Sequence, residues 1–140
     1  MFAIRQGNAP GRAPYLLVAA DGSEVRHLEI SGLDFRWTTQ PWDLDVAAEE
    51  LIRSSGAVPA FKGYRGYPAT LCTSLNEEIV HGIPSRSKIL REGDVVSIDV
   101  GARFQGFFGD AARTFPVGAI STPLEKLLRV TREALEIGIG

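Results

Sequence analysis

The stretch that decides the fold is SIDVGARFQGFFGDAARTF, at residues 97–115. It places Asp99 and Asp110 on what the pattern indicates is a single β-hairpin, with apolar residues beside both. If residues 105–106 form the centre of a tight turn, Gly101 pairs with Asp110, because paired positions are symmetric about the turn. Asp99 then projects from the same face as Asp110, since side chains alternate along a strand. The sequence therefore predicts two carboxylates as diagonal neighbours, with Cα atoms roughly 7–8 Å apart, a separation that one or two cations can bridge.

Neither aspartate has the surroundings of a solvated surface charge. Asp99 lies between two branched apolar residues, and Asp110 follows a glycine. Burying two carboxylates side by side is costly unless a cation or a proton compensates. Two alternatives stay open on spacing alone. Either Arg113 or Arg103 pairs with the carboxylates, or both carboxylates point into solvent from the outer face of an edge hairpin.

Composition sets the class of protein. A chain of 140 residues with 44% hydrophobic residues is long enough for one domain with a sizeable core. Its net charge of −2 gives no field that would draw it onto nucleic acid or an anionic membrane. Cys72 is the only cysteine, which excludes an intrachain disulfide and favours a reducing cytoplasm. No membrane span or signal peptide is visible, so we expect a soluble, cytoplasmic protein.

A first amphipathic helix is predicted over residues 39–55. Thr39 can serve as its N-cap, Pro41 fits its first turn, and apolar residues recur at helical spacing until a glycine ends it. The acidic residues of this helix fall mostly in its first turns or on its polar side, where the helix dipole and water explain them. They are Asp43, Asp45, Glu49 and Glu50.

A second amphipathic helix is predicted over residues 122–137. Thr122 is the expected N-cap, with Pro123 at the first helical position and Glu125 at the capping-box position. Gly138 and Gly140 are expected to end it. Its buried stripe is expected to consist of Leu124, Leu127, Leu128, Thr131, Ala134 and Leu135.

Between the first helix and the hairpin, aromatic residues and glycines are interleaved in PAFKGYRGYPATLCTSLNEEIVHGIP, at residues 59–84. Phe61, Tyr64 and Tyr67 recur at every third position of a glycine-broken loop, so helix packing does not explain them. They could form a pocket wall or cap the core of a loop-rich region.

Two further residues of this stretch have both a structural and a functional interpretation. Cys72 lies on a strand-like segment, where a cysteine is either a small buried hydrophobe or part of a site. His81 lies between an apolar residue and a turn, where a histidine is either a hydrogen-bonded structural group or a catalytic one. Local sequence does not decide between these interpretations.

Residues from about 38 to 140 resemble the first half of the catalytic domain of type I methionine aminopeptidases. The matching segments are GYRGYPATLCTSLNEEIVHGIP, EGDVVSIDVGA and GDAARTFPVG, in the family's order and spacing. The resemblance implies an α+β fold, namely half of a pita-bread architecture with a curved antiparallel sheet covered by helices. We expect both predicted helices to pack on one face of that sheet.

The resemblance also implies roles for individual residues. Asp99 and Asp110 match metal ligands, each at a position that binds a different ion of a pair. His81 matches the active-site histidine, which contacts the substrate near the scissile amide and helps stabilise the transition state. The implied cofactor is two divalent ions, either cobalt, manganese, iron or zinc, and carboxylates suit such hard ions. Three residues match positions around the pocket for the methionine side chain: Tyr64, Tyr67 and Cys72. An apolar, aromatic and sulfur-lined pocket suits a thioether.

The implied function is metal-dependent removal of N-terminal methionine from nascent proteins in the cytoplasm, with the ribosome as a further partner. The family completes its metal site with one histidine and two glutamates from the second half of its fold, and no sequence follows Gly140 here. We therefore expect an incomplete metal site and an exposed apolar face that self-associates. Two other functions stay open: a non-catalytic module that binds peptide N-termini, and a relative of the Xaa-Pro aminopeptidases.

Residues 1–36 do not match the charged helix with which the family begins. They are rich in glycine and proline, and residues 15–20 and 25–30 could form a short hairpin around Asp21 and Gly22. A fusion, a shifted reading frame or a truncated gene would each produce such a start. We therefore divide the chain into an unmatched segment, residues 1–36, and an aminopeptidase-like segment, residues 37–140.

Overall fold

The computed structural model of the protein describes the backbone of residues 3–6, 15–18 and 24–28, and residues 40–140 in full. Strands β1 (Ala3–Gln6), β2 (Tyr15–Val18) and β3 (Glu24–Leu28) form an antiparallel sheet in that order. The turn predicted at Asp21 and Gly22 lies outside the described residues, and β1 was not predicted. The division of the chain at residue 36 remains a prediction.

A second antiparallel sheet is organised around the long strand β6 (Val95–Phe104). One edge of β6 pairs along its whole length with β7 (Phe107–Pro116). The other edge pairs first with β5 (Leu71–Leu75) and then with β4 (Val58–Pro59). A short 3-10 turn, Tyr64–Gly66, lies in the segment between β4 and β5.

The β6–β7 hairpin has the register that the sequence predicts. Gln105 and Gly106 form its turn with φ angles of 48° and 86°, so both residues are left-handed, as a two-residue hairpin turn requires. Gly101 pairs with Asp110, and Asp99 pairs with Ala112. The diagonal relation of the two aspartates on one face is thus confirmed.

Helix α1 (Pro41–Ser54) covers one face of this sheet. Gln40, rather than the predicted Thr39, is the N-cap, and its backbone N–H donates to Asp43 Oδ2 at 3.2 Å. An acidic residue in the first turn is favourable because the helix dipole is positive there. The core is formed by Leu44, Ile52, Leu71, Leu90, Val96, Ile98, Val100, Ala102 and Val117.

One acidic residue of α1 is an exception to the prediction that the helix dipole and water explain its acidic residues, which fall mostly in the first turns or on the polar side. Asp45 is only 2% exposed. In a helix it lies on the same side as Ala48 and Ile52, three and seven residues further on, and Ile52 is in the core. The helical position of Asp45 therefore places it on the buried side of α1, although a carboxylate is usually found on the polar side of a helix.

Helix α2 (Thr122–Ile139) begins after Ser121, which is its N-cap, and continues through Gly138. The predicted end at residue 137 is therefore wrong by two residues. The predicted burial is also wrong, since no residue of α2 is buried and Leu127 and Leu135 are 59% and 62% exposed. Periodicity predicts an apolar stripe but not the element that covers it. Neither helix in the described part of the chain is long and apolar enough to cross a membrane.

Candidate metal centre

Three strands bring the candidate residues onto one face of the sheet. Cys72 of β5 lies directly across from Asp99 of β6, and Asp110 of β7 lies directly across from Gly101. Cross-strand partners project from the same face, so the thiol and the two carboxylates share one face. The opposite face of β6 carries the core residues that pack under α1.

Gly101 leaves room on that face for an aromatic ring. A Cβ built at Gly101 would lie 2.4 Å from Cε1 of Phe61, so the ring occupies the space that a side chain would need. The backbone N–H of Ala60 donates to the Gly101 carbonyl oxygen at 2.8 Å, which holds the Phe61 segment against β6. Tyr64, by contrast, is 64% exposed, and the Arg65 guanidinium lies 5.4 Å from its ring centroid. Of the predicted pocket residues, Phe61 lies next to the carboxylates and Tyr64 is exposed.

The carboxylate of Asp99 is partly buried and poorly compensated. Its Oδ1 atom is buried and has no hydrogen-bond partner in the described part of the chain. Burial raises the pKa of Asp99 above its ordinary value, the neighbouring Asp110 carboxylate raises it further, and the nearby His81 opposes the shift. Asp110 itself is exposed.

The ion pairs within residues 40–140 do not include the predicted pairing of Arg113 or Arg103 with the carboxylates. No ion pair formed within residues 40–140 includes Asp99 or Asp110. Arg113 pairs in register with Ile98, so it lies on the face opposite Asp99. Its guanidinium lies 5.2 Å from the ring centroid of Phe115.

His81 is held beside the strands by the residue that follows it. Gly82 accepts a hydrogen bond from the Thr73 backbone N–H at 2.8 Å, and its own N–H donates to Ser74 Oγ at 3.1 Å. A Cβ at Gly82 would lie 2.2 Å from the Thr73 carbonyl oxygen, so only glycine permits this approach. His81 has a φ of 58° and is exposed. The loop thus presents the imidazole near Asp99.

Tyr67 connects strand β5 with the loop that carries His81. Its hydroxyl lies 2.9 Å from the Leu71 carbonyl oxygen and 3.2 Å from that of Gly82. Burial is the largest cause that raises the pKa of Tyr67, and a hydrogen bond with Cys72 raises it further. Burial also raises the pKa of the Cys72 thiol. Both groups are therefore neutral near pH 7, which gives this end of the site an apolar and sulfur-bearing lining.

The two carboxylates fit a divalent cation as part of a ligand set. Their oxygen donors suit a hard ion, and a cation would compensate the buried Oδ1 atom of Asp99. In the residues that the structure describes, no group of three or more His, Cys, Asp or Glu side chains is placed to hold a metal ion. Asp99 and Asp110 could therefore supply two ligands to a cation, but not a whole coordination sphere.

Comparison with known proteins places the chain in a family. The profile of metallopeptidase family M24 matches residues 31–140. Methionine aminopeptidase of Clostridium acetobutylicum is 53% identical over 97 residues, which cover 69% of this chain and 39% of that protein. The crystal structure of Thermotoga maritima methionine aminopeptidase is 47% identical with a TM-score of 0.69, covering 71% of this chain and 40% of that one. Escherichia coli aminopeptidase P, at 24% identity, has a TM-score of 0.59 over 74% of this chain and 22% of its own, a likeness of fold alone.

These likenesses confirm the predicted α+β class and the relation to half of a pita-bread fold. The chain spans about two fifths of the length of the methionine aminopeptidases that it matches. The match of the family profile extends over most of the chain, including the whole β6–β7 hairpin. The chain belongs to metallopeptidase family M24, as its resemblance to the type I methionine aminopeptidases predicts.

Proposed function

We propose that this chain contributes Asp99 and Asp110 to the dinuclear metal centre of an enzyme that removes N-terminal methionine. The observation that carries the proposal is the partly buried Asp99 carboxylate, which faces Asp110 and has one oxygen without a partner in the described residues. Such a pair is unfavourable in the folded protein unless a cation or a proton compensates, and a cation between the carboxylates would compensate both of them at once. Relatives that are methionine aminopeptidases support the reaction class.

The cofactor in this proposal is a pair of divalent ions, either cobalt, manganese, iron or zinc. When bound, two such ions can bind a free α-amine, polarise the adjacent carbonyl and lower the pKa of a bridging water. Asp99 and Asp110 would hold them through carboxylate oxygens. The neutral forms of Tyr67 and Cys72 keep charge away from the neighbouring apolar surface.

The other residues have separate roles in the proposal. His81 would act as the catalytic histidine, because an exposed imidazole near Asp99 can donate a hydrogen bond to the scissile amide. Tyr67 and Cys72 would line the pocket for the methionine side chain, with Phe61 beside them. Tyr64 is included by resemblance only, since its side chain is exposed.

The proposed substrates are nascent proteins that begin with methionine. We place the reaction in the cytoplasm, at or near the ribosome, because new N-termini become available there. The single free cysteine is compatible with a reducing compartment.

The test uses the 140-residue chain and a chimera in which residues 38–140 replace the matching part of the Clostridium acetobutylicum enzyme. Each is incubated with a Met-Ala-Ser peptide and cobalt, manganese or iron. We expect metal-dependent release of methionine from the chimera. Asp99→Asn, Asp110→Asn and His81→Ala should each reduce the release about 100-fold or more. Asp43→Asn, which removes an exposed carboxylate on α1, is the matched control and should leave the rate unchanged.

The alternative functions give different results in the same assays. Faster release from an Xaa-Pro peptide than from Met-Ala-Ser would favour the Xaa-Pro aminopeptidases. Calorimetric binding of Met-Ala-Ser to the 140-residue chain without any metal would favour a binding module. Full activity in the Asp99→Asn and Asp110→Asn chimeras would refute the proposed metal ligands.

We also propose that the protein self-associates through α2, with a second copy of the chain as the partner. Its apolar stripe is exposed, as shown by Leu127 and Leu135. The first half of α2 carries two basic residues and one acidic residue, whereas its second half carries one basic and two acidic residues. An antiparallel, two-fold symmetric pair of α2 helices would place opposite charges together while covering both stripes.

A further inference from the structure

The outer edge of β5, opposite the edge that pairs with β6, has no neighbouring strand among the described residues. Strand edges need hydrogen-bond partners when they are buried, and most of β5 is buried. Here the partners come from four separate parts of the chain: the Asp45 carboxylate, the Tyr67 hydroxyl, the backbone of Gly82 and the Glu78 carboxylate, which accepts a hydrogen bond from the Leu75 N–H at 2.9 Å. We call the first three of these partners the edge clamp.

Asp45 provides the first contact of the edge clamp. Its Oδ1 atom accepts hydrogen bonds from the backbone N–H groups of Thr70, at 2.8 Å, and Leu71, at 2.7 Å. Bonds to an ionised acceptor are stronger than neutral ones. No ion pair within residues 40–140 includes Asp45, so its described partners are backbone amides at the start of β5. A carboxylate that is 2% exposed is retained in this way at the junction of a helix and a strand.

The clamp continues from the start of β5 to the candidate catalytic histidine. Leu71, whose N–H is bound by Asp45, has its carbonyl oxygen bonded to the Tyr67 hydroxyl. The same hydroxyl lies within hydrogen-bond distance of the Gly82 carbonyl oxygen, and Gly82 follows His81 directly. Cys72 lies next to Leu71 and across from Asp99. The single proton of the Tyr67 hydroxyl is shared between these two carbonyl oxygens, so a continuous set of polar contacts runs from α1 past Cys72 to the His81 loop.

We propose that Asp45 is a positioning residue for the candidate metal centre. Asp45 fixes the outer edge of β5, and through that edge it fixes the place of Cys72 across from Asp99 and of the His81 loop beside β5. Asp45 touches none of the reacting groups. This role rests on the proposed function, since the site that it positions is that of the aminopeptidase. The positioning role explains why the Asp45 carboxylate is buried on a helix whose other acidic residues are in contact with solvent.

The thiol of Cys72 reports on this edge, because it is the only cysteine in the chain and is buried. The rate of its reaction with a small disulfide reagent is measured in the 140-residue protein. Asp45→Ala leaves two buried amides without an acceptor and should raise the rate about tenfold. Asp45→Asn keeps a carbonyl oxygen at the same place and should bring the rate back to within about threefold of the unaltered protein.

A matched control separates positioning from general stability. Ile52→Ala removes a buried side chain from the same helix without changing the hydrogen bonds of β5. Urea is used to bring both alanine variants to the same free energy of unfolding. A faster Cys72 reaction in Asp45→Ala than in Ile52→Ala at that point supports the role. Equal rates, or a rate in Asp45→Asn as fast as in Asp45→Ala, would overturn it.

If Asp45→Ala does not fold, amide hydrogen exchange in the unaltered protein and in Asp45→Asn tests whether Asp45 holds the edge of β5. The amides of Thr70 and Leu71 should exchange as slowly as that of Thr73, and unprotected amides would contradict the proposal. Addition of Mn²⁺ to the chimera separates this result from the proposed metal site. If Mn²⁺ does not broaden the His81 ring signals of the chimera, the metal proposal fails, and the Cys72 measurement in the 140-residue protein still decides on Asp45.

Discussion

Gly82 and Gly101 are positions where a neighbouring group occupies the space of a side chain. At Gly101 that group is the Phe61 ring, and at Gly82 it is the backbone of Thr73 and Ser74. A ring at the end of a side chain can shift, whereas a strand backbone that is paired with its neighbour cannot do so cheaply. Gly82 is therefore the more restrictive of the two positions, and it directly follows His81.

Gly82→Ala should destabilise the protein by about 1–3 kcal/mol, the usual cost of forcing extra atoms into a packed region. The measurement is urea unfolding followed by circular dichroism. Gly138→Ala is the matched control, because nothing lies within 4 Å of a Cβ at that helical glycine. It should be neutral or stabilising by up to about 1 kcal/mol. Equal stability of the two variants would contradict this prediction, because it would mean that the loop at Gly82 moves enough to accommodate a Cβ atom.

Asp99→Asn should have opposite effects on stability and on metal binding. Without metal, the substitution removes a partly buried charge that lies next to Asp110, so the free energy of unfolding near neutral pH should rise. Loss of a ligand oxygen should weaken Mn²⁺ binding about tenfold or more. Chemical denaturation and calorimetry measure the two quantities. A variant that is less stable and binds Mn²⁺ equally well would contradict both the electrostatic account and the metal assignment.

At the scale of elements, α1 is joined to the loop before β5 by charge as well as by its core contacts. Glu49 Oε2 lies 2.5 Å from Lys62 Nζ, and Glu49 Oε1 lies 2.8 Å from Arg53 Nη2. The hydrogen bond from Lys62 lowers the pKa of Glu49 most, and the hydrogen bond from Arg53 lowers it further. The pKa of Glu49 is therefore below its ordinary value of 4.5. This pairing orients the segment that contains Phe61, the residue against Gly101.

The Glu49 contribution should depend on pH in a defined direction. Because the pKa of Glu49 is lower in the folded state, its stabilisation is present above the unfolded pKa and is lost as the pH falls through the folded pKa. Glu49→Gln should reduce the free energy of unfolding by about 0.2–1 kcal/mol at neutral pH, the range for exposed pairs. The difference from the unaltered protein should disappear in strong acid. A difference that persists there would point to packing and not to charge.

At the scale of the whole molecule, the two helices differ in burial. α1 contributes Leu44 and Ile52 to the core, whereas α2 buries no residue. An apolar stripe in contact with water is favourable to cover, since each buried Å² of apolar surface is worth about 25 cal/mol. The molecule thus has a core under α1 and an uncovered surface on α2.

Leu127→Lys combined with Leu135→Lys should make the protein monomeric, because a charge in an apolar helix pair is costly to bury. Light scattering over a range of protein concentrations measures the mass. We expect the unaltered protein to form dimers or larger species, and Arg129→Gln, a substitution on the polar side of α2, to behave in the same way. A monodisperse monomer of the unaltered protein would refute self-association through this stripe.

The sequence by itself determined the features that depend on near neighbours in the chain. The Gln105-Gly106 turn sets the β6–β7 register by symmetry, so the pairing of Gly101 with Asp110 followed without any knowledge of the fold. Periodicity predicts both helices. Motifs in the segment that includes His81 and in the hairpin indicate the family, and the match of the family profile to residues 31–140 confirms it.

Only the tertiary structure decided the features that depend on residues far apart in the chain. Burial of Asp45, exposure of α2 and the placement of Cys72 across from Asp99 all depend on which elements meet. A local pattern specifies which face of an element is apolar, but burial is a property of the surface that comes to lie against it. The two aspartates could therefore be paired from sequence, while the clamp that holds Cys72 and His81 beside them became visible only in the folded chain.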